Sequence, residues 1–431
     1  MTSSPFDRLA PFIREHIYRA GWDALRPVQV KAISAVLDTP DHVLITSGTA
    51  SGKTEAAFLP ILTQLDEHPS STIGVMYIGP LKALINDQFY RLTDLLEESD
   101  IPVQSWHGDI DQGKKRQFLR RGQGVLQITP ESLEAMLMRR HTDLARLFAD
   151  LRFVVIDEAH AFINNDRGRQ VMCQLQRLAR YQKTPARRIG LSATLGEPEL
   201  AMEWLKGGTD LSVTHINDDG GKRTVELGLE HFVDYRQLLS KLEIQDTNPT
   251  RIAELRAAQQ AMYDHVYEIV DREQKTLIFG GTRGGVEELA VQLRSIAEDR
   301  KAPNVFHVHH GMIAAPLRES AEDAMRDPDQ RACTLATLTL ELGIDIGALD
   351  QVLQVNATSS VSSFVQRLGR SGRRAGRPAR MFFYTIEKHV EDDASLGRRI
   401  PWDLLQTIAT IQLYVEEHWV EPPHIPQLPL S

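Results

Sequence analysis

Short runs of apolar, β-branched residues alternate with helical patterns along most of this chain. In the first half, the runs occupy residues 43–46, 73–79, 103–106, 125–129, 153–157 and 188–192. The alternation restarts at Lys275, with runs at residues 276–279, 305–308, 334–337, 352–355 and 381–384. Strands that alternate with helices are typical of doubly wound parallel sheets, which bind ligands at the carboxyl ends of their strands. The pattern therefore predicts an α/β protein with two such sheets in tandem.

The same alternation gives the expected domain boundaries. We place a first domain at residues 1–208 and a second at residues 275–388. Residues 209–274 are predicted to be a connector with a helix leading into the second domain, because apolar side chains recur at helical spacing between Ile252 and Ile269. Residues 389–431 are predicted to form a helical, proline-rich tail, which we expect to be the start of a further C-terminal module.

Composition fits this picture and narrows the location. A chain of 431 residues that is 42% hydrophobic can form two compact domains. We expect neither a membrane-spanning segment nor a secretory signal, and so no membrane partner. The two cysteines, Cys173 and Cys333, cannot form a disulfide framework and suit a reducing cytosol. A cytoplasmic location is therefore predicted.

The charge balance limits how the chain could meet a polyanion. The formal net charge of −9 gives no overall attraction to nucleic acid, so any such contact depends on local basic patches. Basic residues cluster at 114–121 and at 367–380. The first cluster is equally well explained as an exposed helix face.

The segment TSGTASGKT at residues 46–54 carries the first candidate chemistry. It lies between a predicted strand and a helical pattern, so its N–H groups and the positive end of the helix would face a bound phosphate. Lys53 would reach the β and γ phosphates of ATP, and the Thr54 hydroxyl would bind Mg²⁺. A glycine-rich segment of this kind, known as Walker A, can also be a simple turn.

A second candidate segment, DEAH at residues 157–160, follows the apolar run at 153–156. Two carboxylates are costly to place beside a buried strand without a function. Asp157 would hold the hydrated Mg²⁺, and Glu158 would orient and deprotonate the attacking water. The alternative is a solvated acidic turn.

The basic segment QRLGRSGRR at residues 366–374 lies at the end of a helical pattern in the second half. Arginine forks to two phosphate oxygens and can neutralise γ-phosphate charge in a transition state. Taken alone, this run favours a basic surface or a nucleic-acid patch. Taken with the two segments above, Arg370 and Arg373 are interpreted as a pair of arginine fingers.

Further segments follow these in a recognisable order between residues 20 and 385. They are LRPVQ at 25–29, GPLKAL at 79–84, TPESL at 129–133, SAT at 192–194, TR at 282–283, HHG at 309–311 and TLTLELGID at 337–345. The ordered set resembles the core of superfamily 2 helicases of the DEAD/DEAH-box type. WHGD at 106–109, LELGIDIG at 340–347 and Gln366 are most similar to the Lhr-type, or large helicase-related, group.

The resemblance implies two RecA-like domains with a nucleotide cleft between them, and it assigns roles to individual residues. The nucleotide-binding positions would be Arg26, Gln29, Thr49, Ala50, Ser51, Gly52, Lys53, Thr54, Asp157, Gly343 and Asp345. The nucleic-acid contacts would be Lys82, Thr129, Arg283, His310 and Thr337. Residues coupling hydrolysis to movement would be His160, Ser192, Thr194 and Gln366.

Several of these residues have structural alternatives. Thr129 and Thr337 could cap helices or end strands, Lys82 could be a solvated helix start, and His160 could be a buried, hydrogen-bonded histidine. Trp106 could stack on a base but is better explained as a core residue. We do not expect His307, His309 and His310 to form a zinc site, because a structural zinc requires four convergent ligands and Cys333 is the only plausible sulfur ligand in this half.

The functional prediction follows from the resemblance. We expect an ATP hydrolase stimulated by nucleic acid, a 3′-to-5′ helicase on single-stranded DNA that uses ATP and Mg²⁺ and acts as a monomer in DNA repair. Two alternatives stay open: an RNA helicase or remodelling ATPase, and a non-unwinding, ATP-gated DNA-binding subunit of a repair or defence complex. Further C-terminal domains or a protein partner could supply the parts that split a duplex.

Overall fold

The chain is described by a computed structural model that covers two compact units, one within Met1–Gly221 and the other within Lys222–Val420. The described residues are 4–48, 52–108, 110–163, 165–193, 195–218, 224–245, 248–337, 340, 346–372, 376–391 and 393–422. Within these ranges, no helix is long and apolar enough to cross a membrane.

The first unit is built on a parallel sheet that has seven strands in the described part of the chain. The strands are β1 (His42–Ser47), β2 (Ile73–Ile78), β3 (Val103–Trp106), β4 (Gly124–Ile128), β5 (Phe153–Ile156), β6 (Arg187–Ser192) and β7 (Val213–Asp218). Their order across the sheet is β3-β4-β2-β5-β6-β1-β7. The helices are α1 (Pro11–Arg19), α2 (Pro27–Asp38), α3 (Lys53–Glu67), α4 (Lys82–Leu95), α5 (Gln112–Arg121), α6 (Pro130–Arg139), α7 (Leu144–Phe148), α8 (His160–Ile163), α9 (Asp166–Ala179) and α10 (Pro198–Lys206).

Alternate residues of the central strands enter two separate apolar clusters. Val43 and Val75 belong to one cluster, and their neighbours Leu44 and Met76 belong to the other. Successive side chains of a strand point to opposite faces, so both faces of this sheet are buried. Continuous apolar strands such as β1, β2 and β5 are therefore required here, as parallel sheets usually require.

The second unit has a parallel sheet of six described strands in the order β10-β11-β9-β12-β13-β8. The strands are β8 (Val225–Asp234), β9 (Lys275–Phe279), β10 (Phe306–His309), β11 (Ala332–Ala336), β12 (Gln351–Val355) and β13 (Ala379–Lys388). The helices are α11 (Arg236–Gln245), α12 (Pro249–Asp271), α13 (Arg283–Asp299), α14 (Ala315–Arg326), α15 (Val361–Leu368), α16 (Leu396–Arg399) and α17 (Trp402–Val415).

The prediction of two doubly wound parallel sheets is confirmed, and all eleven predicted runs lie on strands. Residues 209–274 differ from the predicted connector, because they contain β7 and β8 as well as the expected helix α12. Both strands lie at sheet edges and are partly exposed, so they lack the continuous apolar run that marks the buried strands.

Candidate active site

The phosphate loop begins where β1 ends. Gly52 caps α3 with a φ of 84°, a left-handed conformation that glycine adopts without strain. The Lys53 ammonium donates hydrogen bonds to the carbonyl oxygens of Ser47 at 2.8 Å and Gly48 at 3.4 Å. The lysine, at the start of a 15-residue helix, is thus folded back toward the end of β1. The predicted phosphate contacts Thr49, Ala50 and Ser51 lie outside the described residues.

The segment at the start of α2 lies against this loop. The Arg26 N–H donates to Gln29 Oε1 at 2.9 Å, which caps the helix, and Gln29 is only 2% exposed. A Cβ placed on Gly52 would be 2.9 Å from Gln29 Nε2 and 3.4 Å from the Arg26 side chain. The structure therefore brings together two segments that are more than twenty residues apart and were predicted to share one nucleotide.

The acidic segment follows β5, two strands away from β1 in the sheet. Asp157 is buried, and its carboxylate accepts hydrogen bonds from the Glu158 N–H at 2.9 Å and from the Tyr77 hydroxyl. Burial and the neighbouring Glu158 charge raise the pKa of Asp157 to about 7, against the opposing influence of Tyr77 and Lys53. Burial and the adjacent carboxylate thus disfavour the charged form of Asp157.

Glu158 has a backbone φ of 48°, in the left-handed region that side chains other than glycine rarely adopt. Such conformations cost on the order of 1–3 kcal/mol and concentrate at functional sites. His160 lies beside it, with Nδ1 3.5 Å from Glu158 Oε2 and 3.3 Å from Ser192 Oγ. The acidic segment is therefore in contact with the end of β6. The coupling role of His160 stays a prediction, and Thr194 lies outside the described residues.

The residues present fit a magnesium–nucleotide complex. Mg²⁺ prefers oxygen ligands and is usually held by one or two carboxylates together with substrate phosphates. Asp157 supplies a buried carboxylate whose pKa is raised by burial and by the neighbouring Glu158 charge, and Thr54 supplies a hydroxyl in the first turn of α3. Within the described ranges, no three His, Cys, Asp or Glu side chains form a metal-binding group of their own.

Two predicted nucleic-acid contacts of the first unit follow neighbouring strands. Lys82 is the first residue of α4, after β2, and a Cβ on Gly108 would be 3.3 Å from its Nζ. Thr129 follows β4 and caps α6, its hydroxyl accepting from the Ser132 N–H at 3.3 Å. The capping alternative is thus realised for Thr129, and this bond fixes where the hydroxyl lies.

In the second unit, the predicted contacts differ in how accessible they are. Arg283 begins α13 beside the capping Thr282, and Thr337 directly follows β11. His310 is only 2% exposed, and its Nε2 lies 2.8 Å from Glu287 Oε1 on α13. The ring of His310 therefore does not present itself as a nucleic-acid contact, because burial and this pairing hold it inside the unit.

The basic motif continues from α15 into the following turn. Arg367 donates to Gln354 and lies 4.7 Å from the centre of the Phe279 ring, so it is a buried structural residue. Gln366 is also buried, and Arg370 is 2% exposed with its N–H bonded to the Arg367 carbonyl at 3.0 Å. The predicted residues Arg373, Gly343 and Asp345 lie outside the described residues.

Trp106 packs in the core, as the alternative to base stacking predicted. Its ring is partly buried against an apolar cluster and lies 6.2 Å from the Phe118 ring, with the Lys115 ammonium 5.6 Å from its centre.

Tyr77 belongs to the site but was missed in the sequence. It is the second-last residue of β2 and fully buried, and its hydroxyl donates to Asp157. A hydroxyl in an otherwise apolar, buried strand needs a hydrogen-bond partner. The tyrosine in this apolar run was therefore the feature of the sequence that could have indicated a polar partner.

Two family models match the chain once these features are compared with known proteins. The model described as DEAD/DEAH box helicase matches residues 26–202, and the model described as helicase conserved C-terminal domain matches residues 260–375. Together they match more than half of the chain. The chain belongs to the DEAD/DEAH-box helicases.

This helicase is similar along most of its length to proteins of the Lhr type. It is 29% identical over 386 residues to the ATP-dependent helicase Lhr-Core protein 2 of Thermococcus barophilus, covering 86% of this chain and 42% of that protein. It is 30% identical over 419 residues to the Lhr helicase and probable uracil glycosylase of Mycolicibacterium smegmatis, covering 87% of this chain and 26% of that protein. The chain thus spans less than half the length of these relatives.

Solved structures give the same picture. The helicase Lhr of Mycobacterium smegmatis, bound to single-stranded DNA and AMP-PNP, matches with a TM-score of 0.77 and 29% identity, covering 98% of this chain and 52% of that one. Dbp5 of S. cerevisiae, bound to RNA and ADP BeF3, matches with a TM-score of 0.70 and 18% identity, covering 98% and 96%. The second match shows the fold alone.

Proposed function

We propose that this chain is an ATPase stimulated by nucleic acid that moves 3′-to-5′ along single-stranded DNA and unwinds duplex. The observation that carries the proposal is the buried Asp157 beside Glu158, at the strand ends that also present the phosphate loop. The Lys53 charge is close enough to lower the pKa of Asp157. This supports a single nucleotide site shared by the phosphate loop and the acidic segment. The single-stranded DNA bound by the Mycobacterium smegmatis Lhr supports DNA as the substrate.

Lys53 and Asp157 would bind the nucleotide. Magnesium, when bound with ATP, would supply positive charge to the β and γ phosphate oxygens. Asp157 and Thr54 are the residues that would hold it. Lys53 would leave the carbonyl oxygens of Ser47 and Gly48 and donate to phosphate instead, which its flexible side chain allows.

Glu158 would act as the general base that takes a proton from the attacking water. The strained backbone at Glu158 and the contact with His160 fix where its carboxylate lies. His160 also bonds to Ser192 at the end of β6, so movement of that strand end would shift the position of Glu158 through His160. Arg370 would neutralise charge on the γ phosphate in the transition state, which requires its guanidinium, buried in this structure, to become accessible.

The strand would lie across Lys82, Thr129, Arg283 and Thr337, which contact sugar and phosphate rather than bases. Little sequence preference is therefore expected. Because the His310 ring is buried, the strand would contact the backbone next to it, near Gly311, rather than the ring.

The first test is ATP hydrolysis by the purified chain alone, with single-stranded DNA and with single-stranded RNA. Stimulation by DNA above RNA supports the proposal. Stimulation by RNA alone would replace it with an RNA-remodelling ATPase, since the 2′-OH is what distinguishes the two strands. Hydrolysis that neither strand changes would contradict a nucleic-acid-stimulated enzyme.

Polarity and unwinding need a second experiment. Duplexes with a 3′ or a 5′ single-stranded overhang, incubated with ATP, should be displaced only when the overhang is 3′. Stimulated hydrolysis without any displacement would favour the non-unwinding, DNA-binding subunit. A cytoplasmic location and a role in repair stay predictions.

A further inference from the structure

Arg167 bonds to two separate segments of the first unit. It is the second residue of α9, and its Nη2 donates to the Pro80 carbonyl oxygen at 2.8 Å. Its Nε donates to Glu131 Oε1, also at 2.8 Å. Its guanidinium lies 5.4 Å from the centre of the Phe162 ring on α8. One side chain therefore touches three segments that are far apart in the sequence.

The first two segments are those that present the proposed strand contacts. Pro80 is two residues before Lys82 at the start of α4, and Glu131 is two residues after Thr129 in the first turn of α6. Helix N-termini favour anions such as phosphate because their first N–H groups are free. Arg167 bonds to both segments at once, so it sets the spacing between two points that would each receive a phosphate of the same strand.

Glu131 makes this arrangement electrostatically important. Its carboxylate is 58% exposed and lies in the turn where Thr129 would meet the strand. An isolated negative charge there would repel phosphate, and the Arg167 guanidinium offsets it. Arg167 thus acts on the strand both through geometry and through charge.

The third segment links Arg167 to the hydrolysis site. α8 starts at His160, two residues after Glu158, and α9 follows it within three residues. A Cβ on Gly168 would lie 2.0 Å from the Phe162 carbonyl oxygen, so only glycine lets α9 approach α8 this closely. Asn165 caps the junction by accepting from the N–H groups of Arg167 and Gly168. Arg167 is therefore held at a fixed place relative to the acidic segment.

We propose that Arg167 is a positioning residue that couples strand binding to ATP hydrolysis. It holds the segments after β2 and β4 in register with each other and with the turn that follows Glu158. This inference rests on the proposed function, because it needs those segments to contact nucleic acid. Sequence analysis did not single out Asp166, Arg167 or Gly168. The contact between Arg167 and Pro80 spans 87 positions, and no local pattern in the sequence indicates it.

The test measures the affinity for a fluorescent oligo-dT and the ratio of stimulated to basal ATP hydrolysis. Arg167→Ala is expected to weaken oligo-dT binding about tenfold and to lower that ratio by a similar factor, while the KM for ATP without DNA stays within about twofold. Arg169→Ala is the matched control, because Arg169 lies on the same helix and pairs only locally with Asp166 in the described contacts. It should behave like the parent protein.

A second substitution separates charge from geometry. Glu131→Gln removes the carboxylate that Arg167 offsets, so the double variant Arg167→Ala, Glu131→Gln should regain part of the lost affinity. Arg167→Lys keeps a positive charge but cannot bond to Pro80 and Glu131 together, so it should fall between Arg167→Ala and the parent. If the melting temperature of Arg167→Ala shows that this variant does not fold, Arg167→Lys replaces it in the test.

The outcomes distinguish this inference from the function it rests on. A parent that binds oligo-dT and is stimulated by it, with Arg167→Ala and Arg167→Lys unchanged, would overturn the positioning role alone. A parallel loss of basal hydrolysis and melting temperature in both variants would also overturn it, because that is a purely structural effect. A parent that binds no oligo-dT would overturn the proposed function and this inference with it.

Discussion

The two parallel sheets have similar architectures, but the titratable side chains at their strand ends have different partners. In the first unit, Asp157 and Glu158 lie side by side at the end of β5, and the pKa of Asp157 is raised to about 7 by burial and by that neighbour. In the second unit, His309 and His310 at the end of β10 are each within 3.0 Å of a carboxylate, Glu322 and Glu287. A bound cation would relieve the repulsion in the first arrangement, whereas each histidine of the second already has a carboxylate partner among the described residues.

Two buried tyrosines repeat this contrast in a form that is easy to manipulate. Tyr77 on β2 and Tyr384 on β13 are both almost fully buried. The Tyr77 hydroxyl donates to Asp157, whereas the Tyr384 hydroxyl has no hydrogen-bond partner among the described residues. The difference indicates that the first unit is organised around its carboxylates and the second around packing.

The largest effect should come from Glu158→Gln. The amide keeps the size of the side chain but cannot accept the water proton, so kcat should fall by about 10²- to 10⁴-fold while the Kd for ATP changes little. Single-turnover hydrolysis and equilibrium binding of a fluorescent ATP analogue measure the two quantities. Glu199→Gln, an exposed glutamate in α10, is the control. Equal kcat values for the two variants would remove Glu158 from the mechanism.

Arg370→Ala tests whether the second unit contributes charge to the reaction. The expected result is a loss of about 100-fold or more in kcat with a smaller change in ATP affinity, because the guanidinium would act on charge that develops in the transition state. Arg380→Ala, whose guanidinium is paired with Glu226 and Glu273, serves as the control. A loss of affinity alone would assign Arg370 to nucleotide binding rather than to catalysis.

Replacing each buried tyrosine with phenylalanine should change the stability by an intermediate amount. Tyr77→Phe removes a donor to a buried carboxylate and should destabilise the fold by about 1.5–3 kcal/mol, the usual range for a hydrogen bond to a charged group. The misplaced Asp157 should also weaken Mg²⁺-dependent binding of ATP more than binding in EDTA. Tyr384→Phe should be neutral or slightly stabilising, because it loses no hydrogen bond in the described structure. Urea unfolding of both variants would show whether the two hydroxyls differ as described.

The smallest effect concerns pH and a histidine of β1. His42 accepts from the Arg188 N–H at 2.9 Å, and burial together with the Arg188 charge lowers its pKa from 6.5 to about 4. The folded state therefore binds fewer protons than the unfolded one between these values. Stability from this group is complete above pH 6.5 and is lost as the pH falls toward 4.

His42→Gln should flatten this part of the stability profile, because an amide does not take up a proton in this range. Calorimetric melting temperatures at pH 7, 5 and 4 measure it, with the exposed His141→Gln as control. The same slope in both variants would mean that other groups dominate acid unfolding.

The features that sequence reasoning predicted are those that depend on neighbouring residues. β1, the phosphate loop and α3 follow one another along the chain, and so do β5 and the acidic segment, so spacing alone places them at the same sheet edge. Tyr77 and Arg167 could not be found in this way, because their partners lie 80 and 87 positions away. His310 was expected to contact nucleic acid because HHG matched a motif, but its ring is buried and paired with the carboxylate of Glu287 on the preceding helix, α13.

The edge strands have a consequence for how the chain is made. The strands of the first sheet lie between residues 42 and 218, so that sheet can form as soon as this stretch has left the ribosome. β8, the first strand of the second sheet, pairs along its whole length with β13, the last. Between the emergence of residue 234 and that of residue 388, β8 lacks the only strand partner that it has among the described residues. Slow translation of this stretch would therefore prolong the time during which an unpaired strand is open to aggregation.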